Sequence, residues 1–481
     1  MHSEEPIGIA EGIEEEKRRR RRRKKKEEEE EDLLHGADIF EDSDGDDVDD
    51  VDDDDDDGTP QNFYCLITGA NSGLGLSLCC RFLAHFLLTR PPNHHLTLIF
   101  TTRSAAKSLQ TTEYILTSLR KTLLGSSSST AAGYTARYTL VPAFVDLTNL
   151  HSVYALSLRL RTSYQKLDWV FLNAGVLTTA AGGGVDYLKG ARDFFINPVK
   201  ALTTPEFKLQ TLGEVVVQQG PLEGKAARVR GTPGGDNAVV VVDENDGLGY
   251  IWCANVFGHY CLVKGVLGLL CNGGVRAGER ARVVWTSSLD GHARNLDPND
   301  IQCVRGQGPY ESSKRLTDVL ALTWQSSAGV DPTFAGEGAT AADSNRRLPR
   351  FYLTHPAICA TNIAGQHPLI WYVMLAMFYI VRVICGSPWH PITAWKGNAA
   401  NMYVAEERER VLERRGKVKW GSGCGRWGDE RVRETLVEGL EAGKVGPEME
   451  EVGRRCWGRM EELRREWEGR LGGGGGIGGC D

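Results

Sequence analysis

The chain has 481 residues, 41% of them hydrophobic and 25% charged, with a formal net charge of -8. That length and apolar share allow one large α/β domain with appendages, or two or three smaller domains, and exclude a wholly unfolded chain. Twelve cysteines without a CxxC pair or a Cys/His metal spacing exclude a disulfide framework or zinc site of recognisable pattern. Buried free thiols and no metal are expected.

Residues 1–58 segregate their charge. Lys17 to Lys26 is an unbroken basic run, Glu27 to Glu31 follows at once, and Asp42 to Asp57 is almost entirely acidic. Like charges at this density repel and bury no apolar area, so a disordered, self-neutralising tail is expected and no nucleic-acid partner. No apolar stretch lies near Met1, so no secretory signal is read and a reducing compartment is expected.

Between 59 and 400, short β-rich runs alternate with helical segments, the pattern of a parallel sheet with crossover helices. Strands are expected at 63–69, 96–102, 137–145, 168–174, 281–287 and 350–356. Their near-continuous apolarity suits strands covered on both faces, as in a doubly wound Rossmann-type sheet. Polar or Gly-rich stretches near 125–133, 213–247 and 325–347 interrupt this order and are expected as surface insertions.

In "TGANSGLG", Gly69, Gly73, Leu74 and Gly75 follow the first strand and open a helix. Glycines let a phosphate approach the backbone, and the helix N-terminus offers free N–H groups and a favourable dipole. Thr68 and Asn71 are placed to brace the turn. After the second strand the chain reads Thr102, Arg103, Ser104 and Lys107, where an NAD site would place an acid. A guanidinium there suits a 2′-phosphate, so NADPH is expected. Asp146 ends the third strand, where a carboxylate can meet an adenine amino group. Asn173, Ala174 and Gly175 end the fourth, beside the path of the cofactor ribose.

In "PYESSKRLTDVLAL", Tyr310 and Lys314 are four residues apart and stack on one helix face. An ammonium beside a phenol stabilises phenolate and lowers the tyrosine pKa. Ser288, with Ser287 as the alternative, ends the strand in "VVWTSSLDG", where a hydroxyl can polarise a carbonyl. Asn255 in "CANVFGHY" is placed to hold a water linking Lys314 to solvent.

Together these motifs resemble the short-chain dehydrogenase/reductase family, whose glycine turn matches Thr68, Gly69, Gly73 and Gly75, and whose strand-four motif matches Asn173 to Gly175. The resemblance implies catalytic roles for Asn255, Ser288, Tyr310 and Lys314, with Lys314 also binding the nicotinamide ribose. It further implies that Pro356 and Thr361 border the nicotinamide, and it has Ala357 where glycine is usual. Longer stretches such as "WTSSLDGHARNLDPNDIQ", "THPAICATNI" and "GSPWHPITAWKGNAANMYVA" resemble the fungal 3-keto-steroid reductases of sterol biosynthesis. That resemblance, over roughly 60–430, implies NADPH reduction of the C-3 ketone of a C-4-demethylated, zymosterone-like sterol to the 3β-alcohol in ergosterol synthesis. It also implies an endoplasmic reticulum or lipid droplet location, a catalytic domain facing the cytosol, and partnership with the other C-4 demethylation enzymes. A reductase for another lipophilic carbonyl such as a retinoid, and a non-catalytic cofactor-binding scaffold, are the competing readings.

"LIWYVMLAMFYIV", Leu369 to Val381, is uncharged and aromatic-rich. At that length it makes only about 20 Å of helix, short of a bilayer core of about 30 Å. A membrane-associated segment over 369–385 is therefore expected, lying in the interface in preference to spanning it, with a buried core helix as the other use that fits its length. From 401 to 481 the chain turns charged and Trp-containing, with helical periodicity in 448–471 and a glycine run at the end. One or two peripheral helices without chemistry are expected there.

Overall fold

The computed structural model describes residues 59–125, 134–177, 186–203, 214–218, 227–230, 247–328, 347–360 and 368–472. The expected tail over 1–58, most of the three insertions, the glycine-rich end and Thr361 lie outside the described residues.

In chain order the first half comprises β1 (Gln61–Ile67), α1 (Gly73–Thr89), β2 (His94–Thr102), α2 (Ala105–Gly125), β3 (Tyr138–Phe144), α3 (Leu150–Ser163) and β4 (Trp169–Leu172). Two short helices, α4 (Tyr187–Ile196) and α5 (Pro198–Thr203), lead to β5 (Glu214–Val217), β6 (Ala227–Arg230) and β7 (Gly247–Gly249). Next come α6 (Tyr250–Trp252), a π turn at Cys253–Phe257, α7 (Gly258–Gly265), α8 (Leu267–Cys271), β8 (Arg282–Thr286), α9 (Pro309–Ala328) and β9 (Arg350–His355). The chain continues through α10 (Pro368–Val383), α11 (Ala399–Glu406), α12 (Glu409–Arg414), β10 (Lys419–Cys424), β11 (Glu430–Thr435), a small ribbon of β12 (Leu440–Glu441) and β13 (Lys444–Val445), and α13 (Pro447–Gly472).

The main sheet has eight strands in the order β11-β10-β9-β8-β4-β1-β2-β3. All neighbours are parallel except the β10–β11 hairpin. The six expected strands are all present. Their order reverses at β1, since β2 and β3 add on one side and β4 returns to the other. In an open parallel sheet this switch point leaves a crevice at the carboxyl ends of the strands.

Successive residues of β1 face opposite cores, as the period of two requires. Leu66 packs with Val170, Val283 and the helices α3, α7, α9 and α13, whereas Cys65 and Ile67 pack with Phe171, Val284 and the helices α1, α2 and α11. The fully apolar strands are thus covered on both faces. The cysteines among the described residues are free thiols, most of them buried, Cys79 and Cys80 included.

Two expectations are corrected. The residues after 400 do end in a long helix, but they also supply the β10–β11 hairpin, which extends the main sheet; β10 is buried along its whole length. The reason is pairing: β9 leaves an open edge, and β10 satisfies its backbone groups in parallel register. The insertion near 213–247 is not wholly superficial either. Its β5 pairs with β6 and β7 in an antiparallel sheet, and its Val216 is fully buried against Tyr250 and Ile251. The Gln218 side chain accepts from the Leu150 N–H at 2.9 Å and donates to the Thr148 carbonyl at 2.8 Å, joining the insertion to the start of α3.

Helix α13 lies on α9. Its Trp457 indole donates to Thr323 Oγ1 at 3.1 Å, and its Glu461 carboxylate accepts from the Tyr260 hydroxyl beneath it. On α10 the aromatic and aliphatic residues split. Phe378 and Val381 are buried, while Tyr372, Val373, Tyr379 and Ile380, and Ile384 just beyond the helix, are exposed as an apolar stripe. Arg382 turns inward, stacks on Tyr379 at 4.8 Å and is only 8% exposed, so its charge does not interrupt the stripe. No helix among the described residues is long and apolar enough to cross a membrane.

Candidate active site

A cleft of about 1440 Å³ opens at the switch point. It collects nearly every residue expected to touch the cofactor: Gly69, Asn71, Gly73, Leu74, Gly75, Thr102, Arg103, Lys107, Asp146, Asn173, Ala174, Gly175 and Pro356, together with Tyr310 and Lys314.

The glycine turn is shaped by close approach. Gly69 has φ of +71°, and a Cβ there would stand 2.8 Å from the Ala174 backbone. A Cβ on Gly75 would stand 2.3 Å from the Gly69 carbonyl and 2.5 Å from Asn173 Nδ2. Only glycine lets β1, α1 and the end of β4 meet so tightly. Ser72, the N-cap of α1, makes no side-chain cap bond, and no acid occupies the first helical turn. The helix N-terminus therefore offers uncapped N–H groups and a positive dipole end to an anion.

Thr68 is completely buried and braces the end of β4 rather than the turn itself. Its Oγ1 accepts from the N–H groups of Asn173 at 2.9 Å and Ala174 at 3.0 Å. It also lies 2.9 Å from His259 Nε2, while His259 Nδ1 lies 3.1 Å from the Asn255 carbonyl. A carbonyl has no proton to give, so Nδ1 carries the hydrogen and Nε2 accepts from Thr68. Burial pushes this imidazole down to about 4, which keeps it neutral and compatible with that single tautomer. His259 was not among the expected site residues; its position four after Asn255 was the available signal.

Arg103 and Lys107 are exposed at the rim, and no carboxylate among the described residues pairs with Arg103. Thr102 turns inward to Ser108 Oγ at 2.6 Å. Asp146 Oδ1 holds the Thr148 N–H and hydroxyl at 3.0 and 2.7 Å. Asn173 donates through Nδ2 to the Thr68 carbonyl at 3.1 Å, and its buried Oδ1 has no partner among the described residues. Among the described residues Asn71 reaches Ser72 alone, at 3.4 Å.

Tyr310 and Lys314 sit one turn apart on α9, with the Lys314 ammonium 5.5 Å from the Tyr310 ring centre. Lys314 Nζ donates to the Thr286 carbonyl at 2.9 Å. Its burial pushes it down to about 8 against the opposing attraction of the Asp318 carboxylate. Tyr310 is partly buried against a small apolar cluster of Val216, Tyr250 and Ile251, to which the insertion contributes Val216.

Asn255 lies in the π turn, a helix irregularity common at functional sites. Its side chain brackets Val176, accepting from the N–H at 2.7 Å and donating to the carbonyl at 3.1 Å, and it donates to Ser313 Oγ at 3.1 Å. A Cβ on Gly175 would lie 3.4 Å from Asn255 Oδ1 and 3.9 Å from Lys314 Nζ, so both groups border the same small space.

The two candidate serines differ. Ser287 lines the cleft through the end of β8, but its side chain is buried and donates to Asp318 Oδ1 at 2.5 Å. Ser288 is half-buried, and among the described residues its Oγ makes only 3.3 and 3.4 Å contacts with Asp290 of its own loop. Ser288 therefore has the hydroxyl that is free to turn to a substrate, although it is not among the residues lining the cleft.

No family model matches the chain. Curated relatives do. The 3-keto-steroid reductase of Aspergillus fumigatus is 38% identical over 84% of this chain and 94% of its own length. Those of Gibberella zeae and Schizosaccharomyces pombe are 31% and 30% identical over 86% and 85% of this chain, and over 95% and 98% of their own. Among solved structures, a short chain dehydrogenase from Mycobacterium paratuberculosis bound to NAD is 14% identical over 74% of this chain and 94% of that one, with a TM-score of 0.38. With this level of identity across nearly the full length of the fungal proteins, the chain belongs to the 3-keto-steroid reductase family.

Proposed function

We propose that the protein reduces the C-3 ketone of a C-4-demethylated, zymosterone-like sterol to the 3β-alcohol with NADPH, at a membrane surface. The single observation that carries the chemistry is the convergence of Tyr310 and Lys314 with the glycine turn in one cleft. The relatives' names supply the substrate class.

The residues fit a dinucleotide. The Gly69–Gly75 cradle would be filled by a single added Cβ, the α1 N-terminus is uncapped, and Asn173 Oδ1 is an acceptor awaiting a hydroxyl. Arg103 and Lys107 would hold the 2′-phosphate, Asp146 the adenine amino group, and Lys314 the nicotinamide ribose, with Pro356 at the nicotinamide. When bound, the nicotinamide supplies the hydride. Tyr310 gives its phenolic proton to the carbonyl oxygen as negative charge builds there. The Lys314 ammonium holds the resulting phenolate in its ionised form, and Ser288 orients the carbonyl oxygen. A water between Asn255 Oδ1 and Lys314 Nζ would return the proton from solvent.

The uncharged stripe of α10 supports an interfacial helix that lies in a lipid surface near the mouth of the cleft. Phe195 and Ile196, at the end of α4, are also widely exposed. This fits a sterol delivered from the bilayer, at the endoplasmic reticulum or lipid droplet, beside the other C-4 demethylation enzymes. The test is NADPH oxidation by the detergent-solubilised protein with a 3-ketosterol, against NADH and retinal. Sterone turnover preferring NADPH and yielding the 3β-alcohol is expected; NADPH binding with no sterone turnover would overturn the substrate reading.

A further inference from the structure

Lys419 begins β10, in the region read from sequence as peripheral helices without chemistry, yet its ammonium lies under the active-site floor. It donates to Asp318 Oδ2 at 2.7 Å and to the Ser288 carbonyl at 2.6 Å. The two side chains are 3% and 0% exposed. Asp318 is one helical turn beyond Lys314 on α9, and its other oxygen accepts from Ser287 Oγ. A Cβ on Gly291 would stand 2.4 Å from Asp318 Oδ2 and 3.1 Å from Lys419 Nζ, so the loop after Ser288 is pressed onto the pair.

A buried ion pair is a poor way to gain stability, because desolvating two charges costs about as much as their attraction returns. Fixing geometry is the better account here, since this pair joins three separate pieces of chain: α9, the β8–α9 loop and β10. We propose that Lys419 is a positioning residue for the reduction, its pair with Asp318 holding the Ser287–Ser288 turn in register with the helix that carries Tyr310 and Lys314. This rests on the reductase reading above. The charged and titratable groups facing Lys314 are Asp318 and Tyr310 of α9, Asp290 of the serine loop, His259 of α7 and Lys419 of β10. Of these, Asp318 favours its charged form and Lys419 opposes it, with Asp318 the stronger.

Three variants test this: Lys419→Met, Lys419→Arg, and the double variant Lys419→Met with Asp318→Asn, which strands no buried charge. Lys419→Met should lower kcat by about 10- to 100-fold, the scale of a misplaced catalytic group. KM for sterone and Kd for NADPH should stay within about twofold, and Lys419→Arg should recover most of the loss. Competitive acetylation of Lys314, read by peptide mass spectrometry across pH, needs no substrate. Its midpoint should rise in Lys419→Met, where a repelling cation is gone, and fall in the double variant, where the stronger anion is gone as well. Wild-type kcat in Lys419→Met, or in a folded double variant if the single one fails to fold, overturns the proposal. So does an unmoved Lys314 midpoint. A wild-type protein that reduces no sterone overturns the functional reading instead, and the acetylation midpoints still decide whether Lys419 acts on Lys314.

Discussion

Replacing Lys314 with methionine should change stability and its pH dependence in a way that isolates the buried ammonium. Lys314 falls from the ordinary 10.5 to about 8, chiefly through burial. Holding it charged in the folded state at neutral pH therefore costs about 3 kcal/mol. The unfolded chain binds the proton more tightly, so between pH 8 and 10.5 the unfolded state carries more protons and wild-type stability rises with pH. The contribution is complete above the unfolded value and lost as pH falls through the folded one. Methionine has no such term. It does forfeit the bond from Lys314 Nζ to the Thr286 carbonyl, whose charge-assisted part is already contained in that net cost, leaving about 0.5 to 1.5 kcal/mol for an ordinary hydrogen bond. Near pH 7 the relief outweighs this loss, so the variant should be more stable than wild type by about 2 kcal/mol. Toward pH 10.5 wild type should gain on the variant by about 3 kcal/mol. Urea unfolding of both proteins, followed by circular dichroism at half-unit steps from pH 7, measures the difference, in which titrating groups remote from Lys314 cancel. Curves that stay parallel over the whole range would refute the depressed lysine.

Tyr310→Phe should lower kcat by about 100- to 10,000-fold with NADPH affinity within about twofold, as steady-state turnover and nucleotide fluorescence titration would show; near wild-type turnover would remove Tyr310 as proton donor. Arg103→Ala should cut the preference for NADPH over NADH by about 10- to 100-fold, the worth of one charge-assisted contact to a phosphate, while NADH affinity is little changed. Ala357 has φ of +52°, the left-handed region that glycine adopts without strain. Relief of about 1 to 2 kcal/mol of alanine strain, less the extra chain entropy of glycine, predicts that Ala357→Gly stabilises the fold by about 0.5 to 1 kcal/mol, readable as a raised melting temperature.

Much of the fold and of the candidate site was legible in the sequence because its signals are local. The six core strands are continuous apolar runs, and Gly69, Gly73 and Gly75 sit where a strand must turn directly into a helix. Tyr310 and Lys314 meet because a helix returns to the same face after one turn. Ala357 was recognised as the unusual residue of its turn, and the backbone indeed takes the conformation that glycine favours there. The reductase family was readable from these motifs taken in order.

What the tertiary structure alone decided are the contacts between segments distant in the chain. Asp318 and Lys419 lie 101 positions apart, and no spacing rule links them. The β10–β11 hairpin is short, contains glycines and charges, and forms because β9 offers it an unpaired edge. His259 reads as an ordinary helix residue until β1 brings Thr68 against it. Arg382 directly follows the uncharged run Leu369 to Val381, and only packing shows that it turns inward, 8% exposed and stacked on Tyr379. Local periodicity and turn chemistry determined the elements and pointed to the candidate reacting groups; sheet order and burial determined which charges share a dry interior, because only there does an uncompensated charge cost enough to shape the site.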